Sequence, residues 1–149
     1  MYVTRHIAEE ALEILRNVAH VKVYEGELPP PSSVLLDEVK NVDGLLCLLT
    51  DSVTDRLLDG AGFLRVVSVM AVGYDNIDLD SATRHGVMVT HTPGVLTETT
   101  ADFAFGLLLA AARRIVEADR YTRAGRWTSW SPNVLQGQDI HGATLGIVG

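Results

Sequence analysis

The sequence has 149 residues, of which 47% are hydrophobic and 21% charged, and its formal net charge is −7 at pH 7. This composition is typical of a globular protein, and the acidic balance argues against binding nucleic acid or an anionic membrane. The one cysteine, Cys47, excludes an internal disulfide. With no signal-peptide layout at the N-terminus and no apolar stretch long enough to cross a bilayer, we expect a cytoplasmic protein.

Strands and helices alternate along the first 94 residues. A continuous apolar run at 45–49 is typical of a strand buried on both faces of a parallel sheet. The remaining strands are predicted at 2–4, 21–24, 64–69 and 87–90, and the helices at about 7–18, 33–39, 54–58 and 80–85. This βαβα order predicts an α/β fold, a flavodoxin-like doubly wound parallel sheet of about five strands.

A single long helix is predicted to follow, over about residues 99–124. Thr99 and Asp102 have the spacing of a capping box, and Gly125 marks the end of the helix. Its first half, residues 101–112, is apolar on nearly every side. Because such a helix must be covered all round, we expect it to lie between two domains or two subunits.

The last seven residues, 143–149, read ATLGIVG. A short apolar run ending on glycine is typical of the first strand of a dinucleotide-binding βαβ unit, with Gly149 as the first glycine of its turn. Any buried strand can also end on glycine, so this pattern alone leaves both interpretations open. On the first interpretation, the chain is the front part of a longer enzyme.

The most informative loop covers residues 71–78, AVGYDNID, directly after the predicted strand at 64–69. Ligands of open α/β sheets bind beyond the carboxyl ends of the strands. Gly73 would let the backbone turn with its N–H groups outward, and consecutive free amides form a nest for an anion such as a carboxylate. The alternative is a plain turn in which Asp75 and Asn76 act as Asx-turn residues.

Four segments together resemble the D-isomer-specific 2-hydroxyacid dehydrogenases. They are VGYDNID at 72–78, TPGVLTETTADFA at 92–104, RAGRW at 123–127 and LQGQDIHG at 135–142. The resemblance covers the whole chain in order, and PGVLTETTAD at 93–102 favours the glyoxylate and hydroxypyruvate reductase branch. It implies an oxidoreductase that reduces a small 2-oxo acid to the D-2-hydroxy acid by hydride transfer from NAD or NADP.

The resemblance also implies a division of labour along the chain. Residues 1–94 would be the N-terminal part of the substrate-binding domain, and residues 95–149 the interdomain helix and the truncated start of an NAD(P)-binding Rossmann domain. The amides of Val72 and Gly73 would hold the carboxylate of a 2-oxo or 2-hydroxy acid, and Leu48 would line its pocket. Thr100 and Gly149 would contact the cofactor, and the long helix would pack in a homodimer.

In this family an arginine polarises the carbonyl of the 2-oxo acid, and a histidine oriented by a glutamate supplies the proton. The resemblance implies that all three lie beyond the position of Gly149. We therefore expect no catalytic residue and no metal ligand in this chain, and no turnover by these 149 residues alone. Two other functions remain open: a non-catalytic truncated or dimerisation module, and a corepressor related to these dehydrogenases. His91 stands where the family usually has asparagine, and we expect it to form a local hydrogen bond.

Overall fold

The computed structural model describes residues 1–148, which divide into two compact units between Gly94 and Val95. The first unit is a five-stranded, all-parallel sheet in the order β2-β1-β3-β4-β5. This is the flavodoxin-like order, so the predicted fold class is confirmed. The strands are β1 Tyr2–Val3, β2 Lys22–Val23, β3 Gly44–Cys47, β4 Val66–Val69 and β5 Met88–Thr90; the helices are α1 Glu9–Arg16, α2 Ser32–Glu38, α3 Asp55–Asp59 and α4 Leu79–Arg84.

The core of this unit forms around β3, where Leu45 pairs with Tyr2 on one side and with Val67 on the other. All three side chains are buried, in agreement with the continuous apolar run that predicted a central strand. Cys47 is fully buried on the same strand. Burial raises the pKa of its thiol to about 12, so Cys47 is a neutral core residue and not a nucleophile.

Local signals fixed some helix ends and not others. Asp78 caps α4 by accepting a hydrogen bond from the Ser81 amide at 2.8 Å, and Gly86 follows the helix at φ 66°. The predicted closure by Gly86 is therefore confirmed. Helix α2 instead begins one residue before Ser33, with Pro31 at the N-cap position and no side-chain cap.

The prediction of a single helix over 99–124 is wrong. Two helices occupy this region, α5 Thr97–Ala112 and α6 Ile115–Arg123, and Arg114 between them is left-handed at φ 54°. In a continuous helix the Ala112 carbonyl would accept a hydrogen bond from the Val116 amide. Here it accepts from the Gln138 amide at 2.7 Å, and Arg113 pairs with Asp139 at 2.8 Å. The returning chain therefore caps α5 and ends it.

Helix α5 also begins earlier than expected, after Leu96, so Thr99 lies inside its first turn and forms no capping box. Its apolar side chains are exposed within the described chain: Phe103 is 67% exposed and Phe105 56%. None of the helices in residues 1–148 is long and apolar enough to span a membrane.

The predicted strand at 143–148 is also wrong, because no strand pairs with these residues in the part of the chain that is described. A strand is defined by its ladder to a neighbour, and no neighbour is present for this segment. Instead, Leu145 and Ile147 line an open apolar groove together with Phe105 and Leu108 of α5. Gly149 lies outside the described residues.

A polar bridge joins α3 to the end of α4. His85 directs its Nδ1 at the Ser81 carbonyl and its Nε2 at the Asp59 carboxylate, each at 2.9 Å. Both partners can only accept hydrogen bonds, so the arrangement suits the imidazolium ring, in which both nitrogens carry a proton. The hydrogen bond to the Ser81 carbonyl, followed by that to Asp59, raises the pKa of His85 above its usual 6.5.

We expect this bridge to make stability depend on pH. Because the folded pKa of His85 is raised, its stabilisation is fully present below pH 6.5 and is lost as the pH rises through the folded value. The urea midpoint of wild type relative to His85→Gln should therefore fall as the pH is raised from 6 towards neutral and beyond. Asp59→Asn, which replaces the carboxylate by a neutral amide, should weaken this dependence. A difference that grows with pH would contradict the assignment.

Candidate functional site

The carboxyl ends of the parallel strands bring four loops of the first unit to one edge of the sheet. Thr4 and Arg5 follow β1, residues 48–52 follow β3, residues 70–76 follow β4 and residues 91–92 follow β5. Ligands of doubly wound domains bind at this edge. It is therefore the candidate functional site of the first unit.

A buried carboxylate, Asp51, joins the first two of these loops. Its Oδ2 accepts hydrogen bonds from the Thr4 hydroxyl and from the Leu48 amide, the latter at 2.7 Å. Arg5 lies 3.6 Å from Oδ1, and the Asp51 side chain has no exposed surface. Arg5 also donates to the Thr4 carbonyl at 2.6 Å and to the Thr50 hydroxyl at 2.8 Å. Sequence analysis did not identify Asp51, because LLTDS reads locally as a strand end followed by a polar loop.

This network fills the point where the strand order reverses, between β1 and β3. In a flavodoxin-like sheet the ligand crevice opens at that switch point. Here Thr4, Arg5 and Asp51 occupy it: Asp51 Oδ2 accepts two hydrogen bonds, whereas Oδ1 has no hydrogen-bond partner among the described residues and lies 3.6 Å from Arg5. The exposed backbone with unused hydrogen-bonding groups lies one strand further along, after β4.

The loops after β3 and β4 are fastened to each other at both ends. The Met70 amide donates to the Cys47 carbonyl at 3.0 Å, where the strand ladder ends. The chains meet again at a single parallel bridge between Val53 and Ile77. Next to this bridge, the Asn76 side-chain amide donates to the main-chain carbonyls of Leu48 at 3.1 Å and Asp51 at 2.8 Å. Between these contacts lies the loop over residues 71–75.

Two consecutive backbone amides of this loop, those of Val72 and Gly73, are free. Among residues 1–148, no group accepts a hydrogen bond from the N–H of Val72 or of Gly73. Their companion carbonyls are bound: the Ala71 carbonyl accepts from the Thr92 amide, and the Val72 carbonyl accepts from His91 Nδ1, each at 2.9 Å. Since C=O and N–H point in opposite directions across a trans peptide, both free N–H groups point away from residues 91–92.

The backbone conformation at position 73 does not require glycine. Its φ is outside the left-handed region, and an added β-carbon would lie 3.7 Å from Asp75 Oδ2 and 3.9 Å from Leu49 Cδ2, which are ordinary contacts. The backbone turns here with its N–H groups free, but it does so without a conformation that requires glycine. The absence of a side chain leaves room for a ligand beside the Gly73 amide.

Leu48 and Thr100 are also predicted to contact substrate or cofactor, and they differ in burial. Leu48 is half-buried and is held through its backbone by Asp51 and Asn76, whereas its neighbour Leu49 is 58% exposed and extends towards Gly73. Sequence analysis missed Leu49. Thr100 is exposed in the first turn of α5, where its amide donates to the Leu96 carbonyl at 2.8 Å. The Asx-turn alternative is absent among the described residues: a backbone bond from Ile77 to Tyr74 forms the turn.

The first unit is therefore a doubly wound α/β domain, and its loop after β4 offers two consecutive free amides at the carboxyl end of the sheet. The family model for the D-isomer specific 2-hydroxyacid dehydrogenase catalytic domain matches residues 1–145. The chain therefore belongs to the D-isomer specific 2-hydroxyacid dehydrogenase family. The resemblance found in the sequence is confirmed.

Relatives and solved structures agree with this assignment. The chain is 51% identical over 150 residues to the glyoxylate reductase of Korarchaeum cryptofilum and 49% identical over 153 residues to that of Aeropyrum pernix. All of this chain is aligned, but only 45% and 46% of those proteins, so it spans about half their length. The TT0316 protein of Thermus thermophilus has a TM-score of 0.88 at 43% identity, covering 93% of this chain and 44% of that one.

The Asp51 network predicts a large effect of one substitution. Asp51→Ala leaves Arg5, Thr4 and the Leu48 amide without their shared acceptor in a buried place, so the free energy of unfolding should fall by about 3–5 kcal/mol. Asp43→Ala is the matched control, because the Asp43 carboxylate is exposed and unpaired within residues 1–148; we expect a change below about 0.5 kcal/mol. Equal urea midpoints for the two variants would contradict this role.

Proposed function

We propose that this chain supplies the carboxylate-binding part of an NAD(P)-dependent reductase acting on a small 2-oxo acid of the glyoxylate or hydroxypyruvate type. In this proposal residues 1–94 form the N-terminal part of the substrate-binding domain. Residues 95–149 carry the interdomain helix and lead into the cofactor domain. The family membership and the glyoxylate reductases among its relatives support the class of reaction.

The observation that carries the proposal is the pair of free amides at Val72 and Gly73. Two adjacent N–H donors that point to the same side of a fixed loop suit the two oxygens of one carboxylate. The half-buried Leu48 and the exposed Leu49 beside them would give the pocket an apolar wall, which suits the short carbon chain of such an acid.

The described residues do not by themselves form a dinucleotide site. Thr100 offers one exposed hydroxyl, and residues 143–148 are not paired as a strand. When bound, NAD or NADP would supply the hydride; we assign this chain only a minor share of the contacts, at Thr100 and Gly149. The chain holds the substrate carboxylate in place, and the proton donor lies elsewhere. We therefore expect these 149 residues alone to bind a 2-oxo acid without reducing it.

Binding of oxamate, an unreactive 2-oxo acid analogue, tests the proposal directly. Titration of the 15N-labelled chain should shift the amide resonances of Val72 and Gly73 more than those of the sheet. Oxamate that shifts no amide within residues 71–76 would contradict the site.

Gly73→Val should weaken this binding without unfolding the protein. The added side chain fits against Leu49 and Asp75 but fills the space beside the amide, so a hydrogen bond to a charged ligand is lost. We expect the dissociation constant for oxamate to rise by about 10-fold or more. Gly62→Val is the control, because its β-carbon would meet nothing within 4 Å. If both variants bind like wild type, the carboxylate lies elsewhere.

We also propose that α5 packs against a second copy of the chain. Its Phe103, Phe105, Leu107 and Leu109 are all more than 40% exposed, and an apolar surface of this kind is unusual on a monomer. In the proposed enzyme, one side of α5 would face the cofactor domain and another would face a second subunit. No feature of the described residues favours a corepressor over this function.

Sedimentation of the 149-residue chain at micromolar concentration tests the proposed interface. We expect a dimer or larger assembly, and Phe103→Glu should shift it towards monomer because the charge would be buried in the contact. Thr122→Glu on α6 provides the control for added charge. A monodisperse monomer from the wild-type chain would remove the interface from the proposal.

A further inference from the structure

We propose that His91 is a positioning residue that orients the N–H of Gly73 towards the ligand carboxylate. The inference rests on the proposed function and adds to it. It assigns to one side chain the direction of one of the two binding amides.

The hydrogen bond of His91 fixes its tautomer. Its Nδ1 lies 2.9 Å from the Val72 carbonyl oxygen, and a carbonyl can only accept. Nδ1 must therefore carry a proton, and in the neutral ring Nε2 carries none. The ring is also held edge-on to Tyr74, with centroids 5.1 Å apart and planes at 85°. These two contacts fix both the position and the rotation of the imidazole.

The planar peptide bond then sets the direction of the Gly73 N–H. The Val72 carbonyl and the Gly73 N–H belong to one planar unit and point in opposite directions. Holding that carbonyl at His91 therefore turns the Gly73 N–H to the opposite side. The preceding peptide unit, which contains the Ala71 carbonyl and the Val72 N–H, is held by the backbone. Its carbonyl accepts a hydrogen bond from the Thr92 main-chain amide. The direction of the Val72 amide thus depends on the backbone alone, whereas that of the Gly73 amide depends on a side chain.

Three substitutions at position 91 separate this role from others. Asn places its side-chain N–H where Nδ1 of His lies, Gln places its own near Nε2, and Phe keeps a ring beside Tyr74 without any donor. We expect His91→Phe and His91→Gln to weaken oxamate binding to the full 149-residue chain by about 5-fold, and His91→Asn to restore most of the affinity. In the ligand-free chain, Phe should shift the Gly73 amide resonance more than that of Val72.

Two further readouts make the result decisive. In the wild type, 15N spectra of the imidazole should show the Nδ1–H tautomer; an Nε2–H tautomer overturns the inference whether or not oxamate binds. Rescue by Gln instead of Asn overturns it in favour of direct contact through Nε2. His20→Phe, at an exposed side chain without a hydrogen bond among the described residues, controls for a general effect of the substitution.

Failure of the proposed function gives a different pattern. If wild type shows the Nδ1–H tautomer but no oxamate binding at Val72 and Gly73, the carboxylate site is wrong, and the ligand role of His91 is overturned with it. If wild type binds oxamate and all three variants bind equally well, the site stands and the positioning role is overturned.

Discussion

The arrangement of the whole sheet edge depends on one buried carboxylate, that of Asp51. Its partners come from the loop after β1 and from its own loop after β3, and Asn76 adds the loop after β4 by binding the carbonyls of Leu48 and Asp51. Removing a carboxylate from water is costly, and apolar side chains of similar size can be as stabilising. The carboxylate instead fixes the orientation of its donors, because Asp51 Oδ2 accepts hydrogen bonds from both the Thr4 hydroxyl and the Leu48 amide.

Two of the polar groups at this edge are free backbone amides, which lie next to the side chains of Asp75 and His91. The carbonyls after β4 turn towards the β5 side, where Thr92 and His91 bind them, and the amides of Val72 and Gly73 remain open. Amides do not titrate, so the two N–H groups can bind and orient a ligand but cannot transfer a proton. This is consistent with a division of the proposed enzyme in which this chain holds the substrate and another part carries out the proton transfer.

Sequence reasoning succeeded where a signal is local and failed where it depends on distant chain. The apolar run at 45–49 and the glycine after α4 are local, and both gave the correct elements. The break after Ala112 depends on the Gln138 amide, and the burial of Asp51 depends on three loops that converge only in the folded chain. Likewise, the loop at 71–78 could be recognised as a candidate site, but the partner of the Val72 carbonyl could not.

The charges near the free amides indicate what the proposed site still requires. The chain has a net charge of −7, but surface charges are screened beyond about 8 Å at physiological ionic strength, so short-range contacts decide binding of an anion. Arg5 is the cation of the network, and its charge is matched by Asp51. Two neutral amides then meet the carboxylate without a free cation from this network. Because hydrogen bonds to charged groups are strongest when both sides are charged, tight binding of a 2-oxo acid calls for an additional cation.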